Sequence, residues 1–270
     1  MLPKRYWHEM TTVDFSSSDT AAWIAVLPVC AIEQHGPHLP VYTDTAIAEG
    51  HIAAVIRKLP ANLPVAFLPT QAIGKSNEHI ASPGTLTMSH ETLTRAWLEI
   101  GDSVARAGVR KLVIVNSHGG NVPIIDIVAR ELRVKHSMLA VATSWSRFGQ
   151  PKGLYSEWEG KFGIHGGDME TSVMLALRPD LVKMELAEKF HSAQERFEQR
   201  FKYLRGHGTS QFGWMAQDLG PAGTVGDASI ATVAKGQASL DHMSSAFVEL
   251  LEDVHAFDLN DLFLSGTTFK

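Results

Sequence analysis

Residues 23–44 read WIAVLPVCAIEQHGPHLPVYTD, a stretch that changes character halfway. From Trp23 to Val29 it is almost wholly apolar, the pattern of a buried strand. Polar residues follow at once. Beyond Asp44, residues Ile52, Val55, Ile56 and Leu59 recur at steps of three and four, the spacing of a helix face, and Pro60 stops it. The alternation continues downstream. Val65 to Pro69 reads as a second strand, and Leu93, Trp97, Ile100 and Val104 form a helical stripe with Gly108 just past its end. Leu112 to Asn116 (LVIVN) is the clearest buried strand, followed by a helix over Val122–Val134 and a strand near Leu139–Ala142. Strands alternating with helices predict an α/β fold with a mainly parallel sheet. With no linker, repeat or low-complexity tract, residues 1–270 read as one domain.

Composition narrows the function classes. The 270 residues are 44% apolar and 20% charged, enough to bury a sizeable core. With 24 basic and 29 acidic residues the formal charge is −5, which argues against a mainly electrostatic nucleic-acid binder. A single cysteine excludes an internal disulfide framework and a cysteine-based zinc cluster. Apolar runs fall short of the roughly eighteen residues needed to cross a bilayer. The start, MLPKRYWHEM, lacks an apolar signal core, so a cytoplasmic protein without membrane partners is expected. Thirteen histidines beside one cysteine mean that a metal, if bound, is held through nitrogen and oxygen.

In parallel α/β sheets ligands sit beyond the carboxyl ends of the strands. EQHGPH and NSHGGN each directly follow a predicted strand, so they belong to the same sheet edge. Glu33 and His35, two apart in an extended segment, project to one side. Asp44 either joins them as a ligand or caps the helix it starts. His118, exposed at a strand end by Gly119 and Gly120, is either a hydrogen-bonded structural residue or a ligand, and the shared edge favours the ligand. Downstream, HGGDMETS (165–172) places His165 in a glycine-flanked loop, fit to move protons near neutral pH. Asp168 and Glu170 flank a helix start, where the macrodipole favours acids whatever their function. Carboxylates and imidazoles suit zinc, manganese or iron(II). There is no G-x-S-x-G elbow and no phosphate-loop glycine pattern, which removes the obvious serine-hydrolase and nucleotide readings. Cys30 reads as packing. Arg147–Gly167, rich in glycine and aromatics, is either a mobile active-site loop or a plain connection.

The stretches LPVCAIEQHGPHLPVYTDTAIA, GKSNEHIASPGTLTMSHETL, VIVNSHGGN, HGGDMETSVMLALRPDLV and GTVGDASIATVAKGQ, in this order, resemble the creatininase (creatinine amidohydrolase) family along nearly the whole chain. The resemblance implies a single-domain, Rossmann-like three-layer sandwich, a site for two divalent metal ions (zinc, manganese or iron(II)), and a homo-oligomer, typically a hexamer. It implies Glu33, His35, Asp44 and His118 as ligands, with Asp44 bridging. Creatininases supply a further glutamate two residues after that histidine, where this chain has Gly120. Relatives with His-Gly-Gly-Asn carry an acid downstream instead, and Asp168 holds that place, with Glu170 the alternative. His165 matches the catalytic histidine. Ser76, His79 and Asn121 are candidate substrate contacts by motif position. Trp145 and Trp158 lie in the loop that carries the family's active-site tryptophans, without matching them, so creatinine is not the expected substrate. The expected activity is hydrolysis of a C–N bond in a small cyclic or formyl amide by a metal-activated hydroxide. The alternatives are a lactonase or carbohydrate-derivative hydrolase on the same site, and an inactive binding or assembly subunit.

Overall fold

A computed structural model describes residues 2–262. Four parallel strands, β1 (Ile24–Val29), β2 (Val65–Phe67), β3 (Lys111–Asn116) and β4 (Leu139–Ser144), form a sheet in the order β2-β1-β3-β4. The helices among the described residues are α1 (Thr12–Ser16), α2 (Thr43–Lys58), α3 (His90–Arg106), α4 (Val122–His136), α5 (Glu157–Phe162), α6 (Asp168–Leu177), α7 (Ala193–Arg200), α8 (Ala216–Leu219) and α9 (Val233–Ala256). A small antiparallel pair, β5 (Lys189–Phe190) and β6 (Gly226–Asp227), lies apart from the main sheet.

The apolar run that opens the domain feeds two cores, because successive strand residues point to opposite faces. Ala25, Leu27 and Val29 pack with Leu93 and Trp97 of α3 and with Ile125 and Leu132 of α4. Ile24 and Val26 pack with Ile52 and Val55 of α2 and with Phe247 and Leu251 of α9. Each Val, Leu, Ile or Phe among them contributes about 1.5–3 kcal/mol by leaving water. The result is the expected three-layer sandwich. Proline inside an inner strand would normally break a ladder. Pro28 sits where the ladder beside β1 turns irregular: β2 stops at Phe67, opposite Val26, and pairing resumes at Gln71, whose N–H donates to the Pro28 carbonyl at 2.9 Å. Gly108 follows α3 with φ +95°, a conformation that favours glycine.

Topology fixes where ligands bind. Helix α2 covers one face while α3 and α4 cover the other, so the winding reverses between β1 and β3. At that switch point the crevice opens beyond the carboxyl ends of the strands. Val29 pairs with Asn116 and Asn116 with Ser144, so the three strands end level and their following loops share one edge. A third cluster that includes Leu39, Ile47, Met174 and Leu240 clamps α2, α6 and α9 together and brings the start of α6 to that edge.

The stretch 147–167 contains α5 and is pinned. Glu159 is buried, and its carboxylate accepts from the backbone N–H of Asp168 at 2.6 Å and of Asp227 at 2.8 Å. Burial pushes its carboxyl up to about 7 despite these two bonds. One side chain thereby joins α5, the start of α6 and β6.

Candidate metal centre

The β1 loop delivers Glu33 and His35, the first turn of α2 delivers Asp44, and the end of β3 delivers His118. All four are buried, and they converge. Asp44 does not cap α2, whose N-cap is Tyr42. Its carboxylate instead divides between two histidines, with Oδ1 3.5 Å from His35 Nε2 and Oδ2 3.4 Å from His118 Nδ1. Glu33 Oε2 lies 3.1 Å from the same His118 nitrogen. Glu170, on α6, comes within 3.8 Å of His35 Nε2, held by a bond from the Gly166 N–H at 2.5 Å.

The far nitrogens of both rings face backbone carbonyls: His35 Nδ1 the Glu33 oxygen at 3.0 Å, His118 Nε2 the Lys75 oxygen at 2.8 Å. A carbonyl only accepts, so those nitrogens carry the protons. The lone pairs on His35 Nε2 and His118 Nδ1 then point at carboxylate oxygens. Glu33 Oε2, His35 Nε2 and Asp44 Oδ2 are all buried with no hydrogen-bond partner. Lone pair facing lone pair in a buried cluster calls for a cation. The same carboxylates make the cluster strongly favour positive charge. Burial lowers the His35 imidazole, but Asp44, Glu170 and Glu33 outweigh it and push it up to about 10. His118 is likewise held well above its usual value, against burial, chiefly by Glu33 and Asp44. For Asp44, burial is overcome by the two histidines and the carboxyl is held well below the usual range. The donor set fits divalent zinc, manganese or iron(II).

Two histidines complete the cluster. The His165 ring lies tilted against those of His35 and His79, with ring centres 4.2 and 4.4 Å apart. Its Nε2 donates to the Gln34 carbonyl at 2.7 Å, which leaves Nδ1 basic and 3.7 Å from Glu33 Oε1. Burial and the neighbouring His35 charge lower its pKa. His79 accepts from the Gln34 side-chain amide at 2.7 Å on Nδ1 and turns Nε2 to within 3.5 Å of Glu33 Oε1.

The other expected site residues are placed differently. Asp168 is fully buried, but its carboxylate takes Lys235 Nζ at 2.6 Å and Ser172 Oγ at 2.9 Å. The structure does not bring it to the histidines; of the two acids on α6, Glu170 faces them. Asn121 spans three segments: Oδ1 accepts from Lys75 N, and Nδ2 donates to Cys30 O and Asn116 Oδ1. Ser76 Oγ lies 3.3 Å from His118 Nε2. Both brace the loops, and neither lines the main cavity. Cys30 is buried as packing, its thiol pushed up to about 12 by burial. Trp158 bonds Glu195 and receives Lys189 over its ring.

A cavity of about 370 Å³ adjoins the cluster, touching it through His118 and Glu170. Its wall is largely apolar and includes Ile47, Val173, Met243 and Trp145, on which His51 stacks at 4.4 Å. Glu78 is the neighbour that the sequence reading passed over. Its Oε1 sits 3.3 Å from His118 Nε2. The only sequence signal was its place beside His79 in the GKSNEHIASPGT motif.

The family model described as "Creatininase: Creatinine amidohydrolase" matches residues 8–251. A mycofactocin precursor peptide peptidase of Mycobacterium ulcerans is 31% identical over 244 residues, covering 88% of this chain and 86% of that protein. The creatinine amidohydrolase of Pseudomonas putida is 34% identical over 177 residues, 60% of this chain and 67% of its own. Among solved structures, a creatininase variant in a zinc–zinc form superposes with TM-score 0.74 at 25% identity, covering 94% of this chain and 99% of that one.

Proposed function

The chain belongs to the creatininase family, hydrolases of carbon–nitrogen bonds, and from that premise we propose that it is a metal-dependent amidohydrolase with a two-ion site. The observation that carries this reading is Asp44, which turns one oxygen to each histidine as a bridging carboxylate must. His118, Glu33 and Asp44 Oδ2 would hold one ion; His35, Glu170 and Asp44 Oδ1 the other. Bound divalent ions lower the pKa of water and polarise a carbonyl.

The chain's own residues supply the rest. His165 Nδ1 is the one basic nitrogen of that ring, because Nε2 is committed to the Gln34 carbonyl. It takes a proton as the nucleophile forms and returns it to the departing nitrogen, which leaves poorly unless protonated. His79 holds Glu33 from behind and packs its ring against His165, fixing both. The apolar wall around Trp145 excludes water and receives the rest of the substrate. The volume suits a small cyclic or formyl amide. A second reading is cleavage at the end of a peptide, favoured by the relative named as a peptidase. A homo-oligomer, a hexamer, and a cytoplasmic location rest on the resemblance and the sequence; no helix among the described residues is long and apolar enough to cross a membrane.

A panel of formamides, cyclic amides, short peptides and lactones, assayed with zinc- or manganese-loaded protein and again after chelation, tests the proposal. C–N cleavage abolished by chelation and restored by metal is expected. Turnover indifferent to chelation, or confined to lactones, overturns it.

A further inference from the structure

Gly120 sits where the family resemblance expects a ligand glutamate, which makes it look like a defect. The surroundings say otherwise. A Cβ built at Gly120 would lie 2.1 Å from the Lys75 carbonyl, 2.5 Å from His118 Nε2 and 2.6 Å from Glu78 Oε1. No side chain fits there, because the Lys75 carbonyl and the His118 ring crowd the position and the Glu78 carboxylate, arriving from a different loop, closes what remains. Glu78 belongs to the short turn Asn77–His79 that follows β2.

We infer that Glu78 is a positioning residue for the metal centre, standing behind His118 in the space that glycine at 120 leaves open. The inference rests on the cluster being a metal site. His118 Nε2 carries its proton, since it faces the Lys75 carbonyl at 2.8 Å, and Glu78 Oε1 is 3.3 Å from the same nitrogen. Nδ1 is therefore the ligating atom, aimed at Glu33 Oε2 and Asp44 Oδ2. A carboxylate behind the N–H of a ligating imidazole fixes the ring and its tautomer and strengthens the opposite lone pair. Glycine at 120 thus leaves the back of His118 to Glu78, while Glu170 remains the acid facing His35. Gly120 and Glu78 are a coupled pair: a side chain at 120 would displace the Glu78 carboxylate or push on the Lys75 carbonyl.

Zinc titration against a competing fluorescent chelator tests this without an activity assay. Glu78→Ala is expected to weaken zinc binding roughly 10–100-fold with the number of ions per chain unchanged. Glu78→Gln, which keeps an acceptor but loses the charge, should fall between Ala and wild type. Melting of the metal-free variants shows whether each remains folded. Wild-type affinity in both folded variants overturns the inference and leaves the metal site standing. Outright loss of an ion in Glu78→Ala overturns it too, making Glu78 a ligand. Failure of the wild type to bind zinc removes the metal reading itself.

Discussion

His118→Ala protein folds, loses bound metal, and loses C–N hydrolysis with it. His118 Nδ1 lies 3.1 Å from Glu33 and 3.4 Å from Asp44, so its removal takes away the imidazole closest to both carboxylates. The ion that these groups would share then loses its imidazole from His118, and a site that relied on it loses several kcal/mol of barrier lowering. That corresponds to a drop in turnover on the order of a thousandfold or more. The fold should survive. The ring's hydrogen bond to Lys75 and some packing are lost, on the order of 2–3 kcal/mol, while the sheet beneath is untouched. Circular dichroism and elemental analysis check both halves. Retention of metal and activity would make His118 a structural histidine.

The two acids of α6 should separate cleanly. Glu170→Gln is expected to leave stability nearly unchanged, since an amide oxygen can still accept from Gly166, and to lower metal occupancy and turnover on the order of a hundredfold. Asp168→Asn is expected to do the reverse. It breaks the 2.6 Å pair with Lys235, a residue whose side chain remains 23% exposed. The loss should be about 2–3 kcal/mol, less than for a fully buried pair because Lys235 can still turn to water. Metal content should stay at the wild-type level. An Asp168→Asn protein that melts normally but binds less metal would put Asp168 in the ligand shell.

That pair also shows where sequence reading stops. Both acids follow His165 in one motif, and both suit a helix start electrostatically. On a helix, residues two apart point about 200° from each other, so only one can face the cluster. Which one depends on how α6 sits against α9, where Lys235 waits for Asp168. No local pattern encodes that rotation. Glu33, His35 and His118 were legible because a strand end fixes both position and direction, and the switch point between β1 and β3 follows from strand order. Glu78 was hidden for another reason: its role exists only through the room left at Gly120, two loops away in sequence. Asn121 and Ser76 were legible as motif members but not as braces, because their partners at Cys30, Lys75 and His118 come together only in the fold.

The most direct measurement is the number of metal ions held by the wild-type chain. Protein stripped by chelation, reloaded with zinc or manganese and dialysed should retain about two ions per chain by elemental analysis, with Asp44→Ala retaining neither. A wild-type chain that retains no ion would contradict the account, because the buried, unpartnered atoms of Glu33, His35 and Asp44 would then have some other purpose.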